Sequence, residues 1–386
     1  MDTSNRLHAL DNLRATMMWL GIVLHVAVNH MVGPSPLPWR DPATTPVADL
    51  LLAAIHAFRM PVFFIVAGFF AALLLQRRGA GGLLKHRFRR IALPLLLLGP
   101  PIVAATMAAG LAFVHRVARG TWGLDPSLVS PARGGFNMAH LWFLYLLWWF
   151  CVAVAAVAAL QARLPALRGP TAAGARLLRR LGAAPWGFVL LALPLALAGA
   201  AYPNGVVTPT GRLLPPPAEW VHNGFFFAFG LALWGARESL LPRWQRRWGA
   251  YLLAGVPLFL VTGAMVERHA PAAAIALAYN ATTWLWSLGL IGLFLRHASG
   301  RHALGAYLAD GAYWVYLVHL PIAVGLGAWL ALLPLGAAAK MGINIALTTV
   351  LALASYQLLV RHTAIGRLLN GRREPAQTRA LQPAAP

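Results

Sequence analysis

The sequence predicts an all-α polytopic membrane protein of about ten transmembrane helices, with both termini in the cytoplasm. Three observations carry that expectation: an apolar composition, a series of apolar runs of spanning length, and a basic bias that alternates from loop to loop. Of the 386 residues, 59% are hydrophobic and 11% charged, with a mean hydropathy of +0.64. A soluble domain carries roughly 25% charged residues and cannot hide this much apolar side chain from water.

A spanning helix needs ~20 mostly apolar residues. Runs of that kind lie at 13–32, 49–75, 91–114, 139–160, 186–202, 219–236, 248–266, 277–295, 312–333 and 341–360. The first carries Asp11 and Arg14 at its entry and His25 inside it. No small-residue cleavage site follows it, so it reads as a retained helix rather than a signal peptide. Prolines within runs, such as Pro94, Pro100, Pro101 and Pro194, are tolerated in membranes, where freed backbone groups find new partners. The fifth and sixth runs are the shortest.

With the N-terminus inside, the cytoplasmic segments hold 24 of the 32 Lys and Arg residues, the outer loops hold 7, and one, Arg59, lies within a span. This is the positive-inside pattern. It also accounts for the net charge of +22, because the basic residues sit in short clusters between apolar runs; no nucleic acid partner is expected. The outer loops 33–46, 121–138 and 203–217 are rich in Pro and Gly and too short for a further domain. Residues 1–370 read as a single membrane domain, and 371–386 as a disordered cytoplasmic tail. The single cysteine, Cys151, lies in an apolar run and reads as a packing residue.

Ionisable side chains inside spans cost roughly 2.5–3.5 kcal/mol on insertion scales, which singles out His25, His56, Arg59 and His319. His25 lies 12 residues past Leu13, roughly 18 Å from the cytoplasmic side, and Arg59 lies 10 residues past Asp49, roughly 15 Å from the outer side. In a hydrocarbon core of ~30 Å these depths nearly coincide. His56 precedes Arg59 by one turn on the same face. Convergence of His25, His56 and Arg59 near the midplane is therefore expected; the bland alternative for each is a hydrogen bond to a neighbouring helix. His319 is expected nearer the cytoplasm, close to Tyr316, and His140 at the outer surface where the fourth helix begins. The histidines lack HxxxH or HExxH spacing, so no metal is expected.

Five segments in order resemble acyltransferase family 3. RLHALDNLRATMMWLGIVLHVAVNH (6–30) carries ten residues between Arg14 and His25, similar to that family's Arg-x10-His signature. FRMPVFFIVAGFF (58–70) resembles its second-helix motif, RFRRIALPLL (87–96) its basic loop, and HLWFLYLL (140–147) and YWVYLVHLPI (313–322) two further motifs. The resemblance covers residues 6–362. Within the family, HAFRMPVFFIVAGFF and HLWFL are most similar to members that succinylate osmoregulated periplasmic glucans, although Ala139 stands before His140 where serine is expected.

The resemblance implies an inner-membrane O-acyltransferase. It would move an acyl group, succinyl or acetyl, from cytoplasmic acyl-CoA to a hydroxyl of a periplasmic or cell-envelope glucan. Acyl-CoA is a cosubstrate, and no bound cofactor is implied. Polyanionic CoA needs cations at the cytoplasmic mouth, which Arg14, Lys85, Arg87, Arg89 and Arg90 supply. His25 suits a general base, Arg59 an oxyanion stabiliser, and Asp11 a partner for Arg14. His56, His140, Tyr316 and His319 are placed along the substrate passage. Two other readings stay open: an O-acetyltransferase of another envelope polysaccharide, lipid or small molecule, and a secondary transporter or flippase, although no inverted repeat is visible.

Overall fold

Thr45 sits before Pro46 and accepts a hydrogen bond from Val47 N at 3.4 Å, a cap that starts one of the longest helices of the chain. The computed structural model describes residues 3–129, 137–202, 204–300 and 303–370. The tail expected to be disordered lies outside the described residues. Those residues form twelve helices: α1 (Thr3–Ala27), α2 (Pro46–Arg87), α3 (Leu93–Arg119), α4 (Trp142–Arg163), α5 (Arg168–Ala183), α6 (Gly187–Gly199), α7 (Pro217–Trp234), α8 (Arg237–Glu267), α9 (Ala272–His297), α10 (Ala303–Leu330), α11 (Ala337–Ser355) and α12 (Ala364–Asn370). Among the described residues there is no strand, and one isolated antiparallel bridge joins Asn137 and Arg212.

Each of the ten apolar runs falls on its own helix, α1 to α4 and α6 to α11. Six segments are long and apolar enough to cross a membrane, and the first of these, 46–119, holds both α2 and α3. The chain passes between those two helices through a break at Gly79 (φ 66°) and a π-turn at Phe88–Ala92. Residues 168–183, between the fourth and fifth apolar runs, form the helix α5. Ala175, Leu178 and Gly182 recur on its less exposed face, and its C-terminus is held by Trp244 Nε1, which donates to Gly182 O at 3.3 Å, and by Arg243, which donates to Ala183 O.

α8 packs along α9, α2 along α7, and α3 along α10, while α1 lies against α2, α9 and α10. In a lipid solvent such packing rests on close fit rather than on hydrophobic exclusion, so small residues sit where backbones meet. A side chain at Gly68 would collide with the carbonyl of Phe227, and one at Gly230 with that of Ile65. The core beside this crossing is aromatic: Trp284 lies 4.7 Å from both Phe226 and Phe229, ring centre to ring centre.

At one end of the bundle the segment after α1 folds back onto it. Asp41 N donates to Asn29 O at 2.9 Å and Thr45 N to His30 O at 2.9 Å. Lys340, at the start of α11, reaches this segment and donates to Asp41 Oδ1 at 3.0 Å and to Ala331 O at 2.6 Å, with both ionic side chains 2% exposed or less. Removing one member of such a pair strands the other charge. Lys340→Met should therefore destabilise the protein by ~3–5 kcal/mol, and the double variant with Asp41→Asn by clearly less. A double-mutant cycle on apparent unfolding midpoints in detergent checks this; equal losses in single and double variants would refute it.

Candidate active site

The Arg-x10-His spacing means more on a helix than in a list. Eleven residues are three turns, so Arg14, Met18, Gly21 and His25 fall along one face of α1. That face joins a cavity at one end of the bundle to a cluster of basic side chains in its interior.

The cavity has a volume of about 420 Å³. Arg14, Arg87 and Arg90 form its cationic rim with His86 among them, and Met18, Phe63, Phe143 and Leu144 are part of its apolar depth. His86 Nδ1 and Arg87 Nε are enclosed with no hydrogen-bond partner among the described residues. Arg90 donates to the carbonyl of Leu369, which brings α12 against the cavity. Arg14 is paired with Asp11 at 3.2 Å, both side chains nearly half exposed. Lys85 and Arg89 are exposed and do not line the cavity.

The cluster lies deeper. Arg59, 5% exposed, donates from Nε to Met17 O at 3.0 Å. Its Nη2 lies 2.6 Å from the point where a Cβ would stand on Gly21, and His319 Nε2 lies 3.2 Å from the same point. Glycine at 21 is thus what admits both the guanidinium and the imidazole against α1. The ring of His25 is 5.2 Å from that of His319 and 6.2 Å from that of His140, and the last two are 5.0 Å apart. His140 and His319 are buried; His25 is half-buried and so the most accessible of the three.

Pro321 explains how one of these rings is held. Proline has no N–H, so the carbonyl four residues earlier, Leu317 O, has no helical donor. His140 Nε2 fills that gap, 3.1 Å from Leu317 O and 2.9 Å from Tyr316 O. His319 Nδ1 lies 2.7 Å from Tyr316 O and 3.1 Å from Val315 O. Carbonyls only accept, so His140 carries its proton on Nε2 and His319 on Nδ1. The opposite nitrogens, His140 Nδ1 and His319 Nε2, are buried lone pairs with no partner among the described residues. Tyr316 OH returns a hydrogen bond to His140 O at 2.7 Å, and Phe143, from the cavity wall, lies 6.0 Å from the Tyr316 ring.

The structure therefore brings His25, Arg59, His140, Tyr316 and His319 together. His140 was expected at the outer surface and His319 nearer the cytoplasm. Both instead meet His25, because the 3-10 turn Ala139–Leu141 tucks the start of α4 against α10. That turn is strained at Ala139 (φ 50°), whose N–H is held by Asn137 Oδ1 at 2.7 Å. His56 lines a separate cavity one turn from Arg59, described below. Sequence reasoning did not find Gly21, Met18, Phe63 or Phe143. The periodicity of α1 from Arg14 to His25 was the signal available for the first two. Among the described residues no group of His, Cys, Asp and Glu is arranged to hold a metal ion.

Residues 7–357 match the family described as an acyltransferase domain, the acyltransferase family 3 of the motifs above. The chain belongs to this family. Among curated proteins it is similar to glucans biosynthesis protein C of Shigella dysenteriae serotype 1 (strain Sd197) and of Escherichia coli (strain SMS-3-5 / SECEC). Each is 30% identical over 146 residues, which is 37% of this chain and 37% of the relative. The match thus spans little more than a third of the length of these relatives. No solved structure matches the chain.

The contact at Gly21 yields a direct test in this family member. Gly21→Ala should displace the Arg59 guanidinium and lower acyl transfer by at least tenfold while the protein still expresses and inserts; retained activity with an unchanged Arg59–Met17 contact would show that Gly21 is not needed.

Proposed function

We propose that this acyltransferase spans the bacterial inner membrane with ten helices, both termini in the cytoplasm, and transfers an acyl group from cytoplasmic acyl-CoA to a hydroxyl of an envelope glucan. The observation that carries this reading is the continuity of one face of α1, from the cationic rim at Arg14 to the cluster at His25. The basic loops support the orientation: Arg14, Arg87, Arg90 and α12 gather at one end of the bundle, and 24 of 32 Lys and Arg residues fall in the alternate segments assigned to that side.

In this mechanism the rim binds the phosphates of CoA, for which guanidinium groups offer paired, charge-assisted hydrogen bonds. The thioester arm then runs roughly 16 Å along α1, the rise of eleven residues, and brings the carbonyl to the cluster. His25 takes the proton of the acceptor hydroxyl through a ring nitrogen lone pair as the oxygen attacks the thioester carbon. Negative charge gathers on the carbonyl oxygen, where Arg59 stabilises it. The C–S bond breaks, the ester forms, and the thiolate of CoA recovers the proton from His25. The apolar depth around Phe63 and Phe143 keeps water from competing for the thioester. His140 and His319, with tautomers fixed by carbonyls of α10, hold the third side of the cluster.

The named relatives support a glucan acceptor, and the HAFRMPVFFIVAGFF and HLWFL stretches support succinyl as the acyl group. Purified protein in lipid nanodiscs, given succinyl-CoA or acetyl-CoA with a glucose oligomer, should release free CoA thiol together with an oligosaccharide ester. His25→Ala should lower that rate by ~10²–10⁴-fold. Arg14→Ala should weaken acyl-CoA binding by ~10-fold, the order expected for one charged hydrogen bond, and leave acceptor binding unchanged. Full activity in His25→Ala would remove this residue from the mechanism, and unchanged CoA affinity in Arg14→Ala would leave Arg14 a topological charge only.

A further inference from the structure

A second cavity lies on the other side of Trp142 from the bundle's basic end. Its walls come from α2, α4, α7 and α9, and its roof from the loop before α7, through Val207 and Pro209. The polar groups that line it are His56, Glu219, His222, Asn223, Tyr279 and Thr283. The enclosed volume is about 20 Å³, room for one water-sized group.

The polar groups in this cavity are not satisfied by one another. Glu219 Oε2, His222 Nδ1 and Thr283 Oγ1 are all buried with no hydrogen-bond partner among the described residues. Their residues are 0%, 9% and 0% exposed. A buried polar atom without a partner costs free energy, and three around one small space indicate a site shaped for something that supplies the missing bonds. The other carboxylate oxygen is already fixed: Thr210 N donates to Glu219 Oε1 at 2.9 Å. Asn223 Nδ2 donates to Glu219 O at 2.8 Å and steadies the same turn.

The roof is tied to the active-site cluster. Met138 N donates to Gly211 O at 2.8 Å, and Asn137 Nδ2 to Thr210 O at 3.0 Å. Tyr145 OH donates to Leu213 O at 2.8 Å. Residues 137–139 lead directly into His140, and Trp142 follows it by two positions. His56 stands one helical turn before Arg59. The cavity therefore abuts the cluster on the side opposite the cationic rim.

The lining narrows the ligand. A carboxylate repels phosphate or carboxylate ligands, and the nearby Arg59 repels a cation. What remains is an uncharged group that both donates and accepts. The Glu219 carboxylate oxygen accepts the hydrogen of a hydroxyl, His222 donates to the hydroxyl oxygen from Nδ1 in the tautomer that carries its proton there, and the Thr283 hydroxyl does either. The indole of Trp142 offers an apolar face beside these polar groups, the combination suited to one sugar ring with its hydroxyls. We propose that this cavity is the acceptor's anchoring subsite, holding one hydroxyl or hydroxymethyl group of a neutral saccharide so that a neighbouring hydroxyl faces His25. The identity of the saccharide as acceptor rests on the function proposed above; the binding itself does not.

The test uses equilibrium binding without acyl-CoA. The full chain in lipid nanodiscs is titrated calorimetrically with a linear glucose pentamer, and, separately, with CoA. The wild type should bind both. Glu219→Gln and His222→Gln should each weaken pentamer binding at least tenfold with CoA affinity unchanged. Thr283→Val, close in shape and unable to hydrogen-bond, should do the same in part and guards against loss of fold in the other two. Absence of pentamer binding by the wild type, or equal pentamer affinity in all three variants, overturns the assignment. Failure of CoA binding or of thiol release with pentamer binding intact sinks the donor reading and leaves this one standing.

Discussion

A guanidinium enclosed in a helix bundle must find oxygen atoms to bond, and in this protein it finds them on another helix. Arg59 leaves α2, crosses to α1 and donates to the carbonyl of Met17. That bond fixes the register between the two helices and sets the charge beside Gly21, where no side chain competes for the space. The imidazoles of α1, α4 and α10 then assemble around the same point. The cost of burying these groups is met by backbone carbonyls, not by carboxylates, so the cluster keeps its positive character for a reacting oxygen to use.

Proline plays the complementary part. By withholding an N–H at position 321 it leaves Leu317 O on α10 open to a donor from elsewhere in the chain, and His140 takes it up. The result is a rigid arrangement in which lone pairs, rather than N–H groups, face inward. A site that must accept a proton is better served by that polarity than by its reverse.

Two cavities flank this cluster with opposite chemistry. One is large, cationic at its rim and apolar in depth; the other is small, lined by Glu219 among neutral polar side chains, and roofed by a loop bonded to Asn137 and Met138. The α2–α7 crossing at Gly68 and Gly230 holds the walls of both in place, because each backbone there fits against the other without intervening side chains. The donor and acceptor proposed above would thus have separate approaches to the cluster.

Hydropathy and charge determined the all-helical class and where its apolar runs lie, since burying a run in lipid demands length and an internal hydrogen-bond ladder whatever the neighbours do. Depth along the spans marked His25 and Arg59, and the resemblance of five ordered motifs to the family added Arg14. What the sequence left undecided is lateral. His140 and His319 belong to helices far apart along the chain, and only packing decides that a 3-10 turn brings one against the carbonyls beside the other. His56 sits on the same face as Arg59, yet a turn of helix is enough to place it against Glu219 and His222 instead of His25. The basic segment 168–183 reads as a topology signal because its four arginines lie between two apolar runs, and its helix forms against α6 and α7 with its end held from α8. One-dimensional periodicity fixes which residues share a helix face. Which faces meet depends on glycine contacts, freed carbonyls and cavity shape, all of which exist only once the helices are side by side.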